Sequence, residues 1–337
     1  MNLLITSCGT RNKILQYFKK EMKSTDKLVA TDCSPFAPAL YEADKYYIVP
    51  RIDNQSYINT ILQICEMEKI NGILSLIDQE LSLLSYHEGL FKEKGIMVIG
   101  SSYFCCELAL DKWKTYKWLI SNGFKCAKTF KDINSFFKAV NAAEINYPVF
   151  VKPRRGSASN SIFKVYNKET IESLFLNYND LIIQEFMNGQ EIGADCYIDM
   201  ISREVVSIFT KKKLLMRAGE TDKAISFKNE DIFSLTKYLC QLGGFSGAID
   251  IDIFEVDNEY YISEINPRFG GGYPHAHECG VNHIKCVINN INKKNNIEQV
   301  GSYLENLMMM KYNDILIKNI DDLENIDNNM NQINYRD

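Results

Sequence analysis

The first third of the chain alternates short apolar segments with amphipathic ones, and this alternation restricts the fold more than any other feature of the sequence. Strands are expected at residues 3–6, 28–31, 46–49, 72–77 and 96–99, and helices at residues 12–22 and 57–68. Strands joined through helical crossovers pair in parallel and are covered on both faces. The sequence therefore predicts a parallel α/β sheet in this region.

The composition is that of a globular protein of two or three small domains. The 337 residues are 46% hydrophobic and 24% charged, and a net charge of −5 is too balanced for binding nucleic acid or an anionic membrane through bulk charge. The ten cysteines are scattered without zinc-type spacing, which favours free thiols in a reducing compartment. Because the start is not leader-like and no apolar run reaches about 20 residues, we expect a cytoplasmic protein without a membrane partner.

The loop after the first strand disfavours a dinucleotide site. Residues 7–12 contain only Gly9, whereas the dinucleotide fingerprint needs three glycines for its tight turn and for close approach of the pyrophosphate. Asp32 follows the second strand, where a ribose-binding acid would stand, but an isolated acid there is more typical of a turn or a helix cap. An NAD-linked oxidoreductase is therefore disfavoured.

The pattern changes after residue 110. A helix is expected at residues 111–119, followed by strands at 147–153, 162–166, 181–186 and 193–200 and by a hairpin formed by residues 245–256 and 259–266. The strand that contains Lys152 leads into a small polar loop, residues 154–161, and a basic strand before such a loop suits phosphate. The Asn-, Asp- and Ile-rich segment after Gly301 is expected to be a peripheral extension.

Three acids and an amide mark the hairpin as the strongest candidate site. If a three-residue turn at residues 257–259 closes it, Asp252 lies opposite Glu264 and Asp250 lies opposite Asn266, all on one face. Side chains directly opposite approach within about 5.5 Å, so the group is able to bracket a divalent cation. Oxygen ligands of this kind select Mg²⁺ or Mn²⁺ completed by a substrate phosphate. The alternative without a metal is a solvated polar strand face. A longer turn would make Asp250, rather than Asp252, the hairpin ligand.

These segments, in order, resemble the ATP-grasp superfamily, and in particular the stand-alone proteins similar to the carbamoyl-phosphate synthetase large subunit. The resemblance is carried by Asp111-Lys112, residues 148–153, Gln184-Glu185-Phe186-Met187 with Glu191, and Glu264-Ile265-Asn266-Pro267-Arg268. It implies an α/β and α+β fold class, with a Rossmann-like pre-ATP-grasp parallel-sheet domain before a two-lobed ATP-grasp fold. The implied domains are a pre-ATP-grasp α/β domain at 1–106, a small N-lobe at 107–180, a C-lobe with the metal site at 181–300, and a C-terminal extension at 301–337.

The resemblance also implies roles for individual residues. The implied nucleotide-binding residues are Lys112 and Lys152 at the phosphates, Gly156 and Ser157 in the covering loop, Gln184, Glu185, Phe186 and Met187 at the adenine hinge, and Glu191 at the ribose. The implied ligands of Mg²⁺ or Mn²⁺ are Asp252, Glu264 and Asn266, and the implied catalytic residues are Arg268, Lys152 and Arg217. The loop departs from the family pattern because it holds one glycine, so serines and arginines are expected to replace some backbone donors.

Two further groups of residues have open interpretations. The lysines at 211–213 and Arg217 lie where related enzymes contact phosphate or the acid substrate, although a basic exposed strand is nearly as plausible for the lysines. His275 and His277 are expected to face an acceptor pocket or to support its loop. Neither histidine has a set of partners for zinc.

These features together predict an enzyme that uses Mg-ATP to phosphorylate a carboxylate and passes the acyl phosphate to an amine, with ADP and phosphate as products. Its partners would be small-molecule acids and amines rather than nucleic acid. A bicarbonate-activating carboxylase or carbamoyl-phosphate-type synthetase is the first alternative, and a non-catalytic ATP-binding subunit is the second. The sequence leaves the oligomeric state open: family members of this size are often dimers, so a homodimer is one option, although nothing in the sequence displays an interface.

Overall fold

The computed structural model describes residues 1–156 and 162–319, which form two compact units. The first unit comprises residues 1–99, 284–294 and, within the described chain, 311–319; the second comprises residues 100–283 and 295–310. The predicted domain boundaries stay a prediction, and the structure groups residues 284–294 with the first unit rather than with the expected C-lobe. Across the described residues, no helix has the length and apolar character needed to cross a bilayer.

A parallel sheet organises the first unit, as predicted. Its five strands are β1 (Asn2–Thr6), β2 (Lys27–Asp32), β3 (Lys45–Ile48), β4 (Gly72–Ser75) and β5 (Met97–Ile99), in the order β3-β2-β1-β4-β5. The helices between them are α1 (Asn12–Glu21), α2 (Tyr57–Met67), α3 (Asp78–Tyr86) and α4 (Glu88–Glu93), with a 3₁₀ turn at Pro38–Glu42. Leu4, Ile61 and Phe91 are fully buried in its core. Asp32 accepts hydrogen bonds from the Gly9 and Ser34 amides at 2.9 and 3.0 Å, and thus holds a turn as expected.

A buried carboxyl group joins three elements of this unit. Glu80, at the start of α3, accepts hydrogen bonds from Thr6 Oγ1 at 2.7 Å, from Ser75 Oγ at 2.5 Å and from the Tyr57 hydroxyl. Burial raises the pKa of Glu80, against the opposing effect of these donors. Because each hydroxyl needs an acceptor away from water, Glu80 ties the ends of β1 and β4 to α2.

A small antiparallel sheet begins the second unit. Its strands are β6 (Thr129–Phe130), β7 (Val149–Pro153), β8 (Phe163–Val165) and β9 (Leu181–Glu185), in the order β6-β9-β7-β8. Four helices accompany it: α5 (Tyr103–Leu110), α6 (Lys112–Ser121), α7 (Ile133–Asn141) and α8 (Lys168–Asn177). Val149 and Val151 face a core with Phe136, which leaves Phe150 and Lys152 on the opposite face of β7.

A larger antiparallel sheet completes the unit. It contains β10 (Gln190–Ile198), β11 (Val205–Arg217), β12 (Glu220–Phe227), β13 (Gly247–Val256), β14 (Glu259–Asn266) and β15 (Met308–Met310), in the order β14-β13-β10-β11-β12-β15. This unit also contains the helices α9 (Glu230–Gly243) and α10 (Tyr273–Glu278), whereas α11 (His283–Ile291) belongs to the first unit from its second residue on. Part of the expected extension is therefore an edge strand, since β15 pairs with β12.

The β13–β14 hairpin has the predicted pairing of acids but not the predicted turn. The turn has two residues, Asp257 and Asn258, with φ of 51° and 61°, which is the left-handed backbone that matches strand twist in a tight hairpin. A β-bulge at Ser263 then shifts the register by one residue. The two differences cancel, so that Asp252 lies opposite Glu264 and Asp250 opposite Asn266.

The Glu80 network predicts a large stability difference between neighbouring substitutions. Glu80→Ala leaves the buried Tyr57 hydroxyl without its acceptor and leaves Thr6 and Ser75 only their contacts with the carbonyls of Leu74 and Ile77, so it should lower the free energy of unfolding by about 2–4 kcal/mol. Gln79→Ala, at an exposed site on the same helix, should change it by less than about 0.5 kcal/mol. Urea unfolding of both variants measures the difference, and equal midpoints would contradict the proposed role of the network.

Candidate active site

The large sheet carries charged side chains in two adjacent rows on one face. Lys211, Gly193, Asp252 and Glu264 form one row across β11, β10, β13 and β14. Phe209, Asp195, Asp250 and Asn266 form the next. Lys213 and Glu191 belong to the same face because they lie two residues from Lys211 and Gly193. We call this surface the charged face.

Lys213 joins two strands of the charged face. Its Nζ lies 2.6 Å from Asp252 Oδ1 and 2.8 Å from Glu191 Oε1. Burial alone would lower the pKa of Lys213, but the carboxylates of Asp252, Glu191 and Asp250 outweigh it and raise the pKa. The ammonium group therefore stays charged and offsets the repulsion between acids that the sheet brings together.

Asp250 lies against the chain that follows β14. A Cβ atom built on Gly270 would lie only 2.5 Å from Asp250 Cγ, so the backbone of residue 270 rests directly on the carboxylate. Burial, then the charges of Asp252 and Asp195, raises the pKa of Asp250 to about 7. Asp252 therefore shares Lys213 with Glu191, whereas Asp250 lies beneath the loop at Gly270.

Arg268 begins that loop, beside the last residue of β14. Its Nη1 donates to the Phe269 carbonyl at 3.1 Å and its Nη2 to Asn266 Oδ1 at 3.4 Å. The Arg268 amide also donates to the Asn266 carbonyl at 2.8 Å. Arg268 and Asn266 therefore stand together at the end of the row that contains Asp250.

Lys152 brings the small sheet to the charged face. It lies half-buried on β7, on the side away from the Val149 and Val151 core. Burial is the main cause that lowers the pKa of Lys152 to about 8; the Lys112 charge lowers it further, while Glu264 and Asp252 raise it. Lys152 on the small sheet thus lies close enough to Glu264 and Asp252 on the large sheet to feel their charges.

A capped helix start places Lys112. Buried Asp111 accepts from the amides of Trp113 and Lys114, both at 3.1 Å, and binds Arg154 Nε at 2.8 Å. Burial alone would raise the pKa of Asp111, but these bonds, led by that of Arg154, hold it below its ordinary value. Lys112 Nζ donates to the Gly156 carbonyl at 2.6 Å and lies 3.7 Å from Glu264 Oε1.

Two of the predicted hinge residues lie at the end of β9 and are fixed by neighbouring chain. Gln184 Nε2 donates to Thr129 Oγ1 at 3.0 Å. Glu185 donates its amide to the Lys128 carbonyl at 2.8 Å and accepts the Lys128 amide on Oε2 at 3.0 Å. The segment is therefore anchored on its β6 side.

The other hinge residues follow the strand. The Phe186 ring packs edge-on against Phe150, with 5.5 Å between centroids, and Lys164 Nζ lies 3.6 Å from its centroid. Met187 is partly exposed in the link to β10. Phe186 thus lies with Phe150 on the side of the small sheet that also carries Lys152.

The remaining predicted residues have separate positions. Arg217 ends β11 at an exposed hairpin tip, where Nη2 lies 3.3 Å from Asp222 Oδ2, so the structure does not bring it into the charged face. Ser157 lies outside the described residues. His275 is buried, with its ring against Phe209 and Nε2 at 3.0 Å from the Leu307 carbonyl, and burial lowers its pKa to about 4. His277 contacts Tyr273 on the same helix.

The donor set suits a hard divalent cation. Asp252, Glu264 and Asn266 offer two carboxylates and an amide oxygen on adjacent strands. Within the described ranges, no three His, Cys, Asp or Glu side chains form a cluster that could hold a metal by themselves. The three residues therefore stay predicted ligands, with oxygen atoms from a phosphate needed to complete the coordination.

The interpretation of residues 211–213 as an exposed basic strand is wrong, because Lys211 and Lys213 are buried. Lys212, in contrast, points to the other face of the strand, where its Nζ lies 5.2 Å from the centroid of the Phe227 ring. The sequence did contain a signal for this burial. Glu191 and Asp195 are an even number of residues apart, so they lie on the same face of β10, where they pair with Lys213 and Lys211. Pairing of β10 with β11 is what makes that signal meaningful.

The Asp111 contacts predict that two helix caps differ in their contribution to stability. Asp111→Ala removes an N-cap and an ion pair with Arg154, and should lower the free energy of unfolding by about 2–4 kcal/mol. Asp132→Ala, an exposed N-cap of α7 bonded to Ser135, should cost about 1 kcal/mol. Chemical denaturation compares the two, and equal losses would show that the Arg154 contact contributes nothing.

Comparison with known proteins supports the resemblance found in the sequence. Residues 3–99 match the model of the PylC-like N-terminal domain, and residues 109–272 match that of the ATP-grasp domain. The chain is 24% identical over 250 residues to the carbamoyl phosphate synthase large chain of Clostridium beijerinckii, covering 69% of this chain and 22% of that one. It is 33% identical over 173 residues to D-alanine–D-alanine ligase B of Clostridium perfringens, covering 44% and 54%.

A solved structure shows the same fold over nearly the whole chain. N5-carboxyaminoimidazole synthetase from Staphylococcus aureus superposes with a TM-score of 0.72 at 18% identity, covering 98% of this chain and 86% of that one. The chain spans only about a fifth and about half of the length of the two curated relatives described above. It carries an ATP-grasp domain preceded by a PylC-like N-terminal domain, and it belongs to the ATP-grasp superfamily.

Proposed function

We propose that the protein is an ADP-forming ligase that activates a small carboxylic acid with Mg-ATP and joins it to an amine. The observation that carries the proposal is the opposition of Lys112 and Lys152 to the acids of the charged face, with Lys112 Nζ at 3.7 Å from Glu264 Oε1. Cations beside oxygen ligands for a divalent metal suit a nucleoside triphosphate, because both neutralise phosphate.

The nucleotide would lie between the two sheets. Lys112 and Lys152 would contact its phosphates together with Gly156 and Ser157 of the loop. The adenine would lie at residues 184–187, and Glu191 would accept the ribose hydroxyls. Asp252, Glu264 and Asn266 would hold Mg²⁺ or Mn²⁺, which screens the charge of the phosphate oxygens.

The chemistry needs no nucleophile from the protein. A carboxylate oxygen of the substrate attacks the γ-phosphorus, and the bond to the β-γ bridging oxygen breaks to release ADP. The amine nitrogen then attacks the acyl carbon, the carbon–oxygen bond to phosphate breaks, and one proton leaves the nitrogen. Arg268 would stabilise the charge that develops on the transferred group, since its guanidinium lies next to Asn266.

The bicarbonate-activating alternative is favoured by one observation. The likeness to N5-carboxyaminoimidazole synthetase covers 98% of this chain. Bicarbonate would then be the acid, and carboxyphosphate would take the place of the acyl phosphate. The same residues would bind ATP in both cases, so only the acid distinguishes the two reactions.

The ligase proposal predicts ADP release that depends on both an acid and an amine. Glu264→Gln and Lys152→Ala should each lower turnover by about 10²–10³-fold, because each removes a charge that acts on the phosphate groups. Exposed Glu169→Gln and Lys138→Ala on α8 and α7 are matched controls that should retain turnover. Coupled detection of ADP with a panel of acids and pooled amines measures these effects.

The results of this assay distinguish the ligase from the two alternative functions. Turnover with bicarbonate alone would replace the ligase by the carboxylase-type reaction. ATP binding by the wild-type chain without ADP release from any acid would support a non-catalytic nucleotide-binding protein. Unchanged turnover in both Glu264→Gln and Lys152→Ala would contradict the site itself.

A further inference from the structure

A second charged pair lies on the charged face, next to the residues given roles above. Lys211 Nζ forms an ion pair with Asp195 Oδ2, and the two residues are 0% and 2% exposed. Two charges are held away from water here without touching Lys112 or Lys152. A buried ion pair is often less favourable for stability than an apolar pair of similar volume, so the presence of this pair invites a role other than stability.

The backbone of β10 is shaped for this pair. Lys211 lies opposite Gly193, so its side chain must cross that residue to reach Asp195. A Cβ on Gly193 would lie 2.8 Å from Lys211 Cε and 3.2 Å from Lys213 Cε. The absent side chain at position 193 therefore lets both lysines lie across the sheet.

The ion pair also lies under the loop that follows Arg268. A Cβ on Gly272 would stand 2.8 Å from Lys211 Nζ, and a Cβ on Gly270 would stand 2.5 Å from Asp250 Cγ. Asp250 lies directly opposite Asp195. Two glycines thus rest on two charged side chains, one of each sign, and a Cβ at either position would have to displace the charged group beneath it.

The loop connects these contacts to Arg268. Arg268 precedes Gly270 by two residues and Gly272 by four, and its guanidinium donates a hydrogen bond to the carbonyl of Phe269. Phe269 is buried and packs on Tyr273, the first residue of α10, at 4.8 Å between ring centroids. A shift of the loop at Gly270 or Gly272 would therefore move the Arg268 side chain.

We propose that Asp195 and Lys211 are positioning residues, which hold the 270–272 loop on the charged face and thereby orient Arg268 toward the transferred phosphoryl group. The proposal rests on the proposed function in one respect, the role given to Arg268. In this proposal the Asp195–Lys211 pair affects Arg268 by holding the loop and does not bind the nucleotide.

The test compares Lys211→Met with Lys212→Met, the same change on the opposite face of the same strand. Lys211→Met should lower kcat on the order of tenfold to a hundredfold, because a displacement of about 1 Å costs this much, while the KM for ATP changes by less than about twofold. Gly272→Ala, which keeps both charges but crowds Lys211 Nζ, should have the same effect. Lys212→Met should retain the wild-type kcat.

A double variant separates positioning from stability. Asp195→Asn with Lys211→Met removes both charges, so it should recover the stability that Lys211→Met loses, yet kcat should stay low. Recovery of both stability and kcat would overturn the proposal, since the pair would then be only structural. A wild-type kcat in Lys211→Met would overturn it as well.

Hydrogen exchange provides a readout that does not depend on activity. Amides of residues 268–273 should exchange faster in Lys211→Met and in the double variant than in Lys212→Met. If the wild-type chain releases no ADP with any acid, the proposed function fails, and exchange alone then decides whether the pair holds the loop. Unchanged exchange at these amides would overturn the positioning role whatever the activity.

Discussion

The rest of the site depends on the neutralisation of acids by lysines on one face of the large sheet. Antiparallel pairing places Asp195, Asp250, Asp252, Glu191 and Glu264 on neighbouring positions of three strands, where their mutual repulsion would destabilise the fold. Lys211 pairs with Asp195 on β10, and Lys213 pairs with Glu191 on β10 and with Asp252 beyond it on β13. A cation added to the face would therefore join acids that two lysines already neutralise in part, not a bare cluster of carboxylates.

Glycine makes this arrangement sterically feasible. Gly193 leaves space for the lysine side chains above the sheet, and Gly270 and Gly272 let the following loop descend onto Asp250 and Lys211. In each case the limit is the distance to a Cβ atom rather than a positive φ angle. Charge pairing and close backbone approach are thus two parts of one constraint, and the position of Arg268 follows from both.

The sequence predicted the acid hairpin better than its turn. A three-residue turn was the wrong expectation, but the bulge at Ser263 restores the pairing of Asp252 with Glu264. Turn length and bulge position are determined by strand twist and by packing on both faces, which alternation of polar and apolar residues does not encode. The burial of Lys211 was likewise not predictable, because a lysine in a strand pattern is usually exposed and only its partner strand supplies Asp195.

By itself, the sequence determined the parallel α/β first unit, the positions of most strands other than β6, β11, β12 and β15, and the chemical types available at the site, because these follow from local periodicity and from residue identity. The tertiary structure alone decided which charges meet. Asp195 and Lys211 are 16 residues apart, Lys213 and Asp252 are 39 apart, and Asp111 and Arg154 are 43 apart. Contacts over such separations depend on strand order, register and burial, which are properties of the packed chain and not of any one segment.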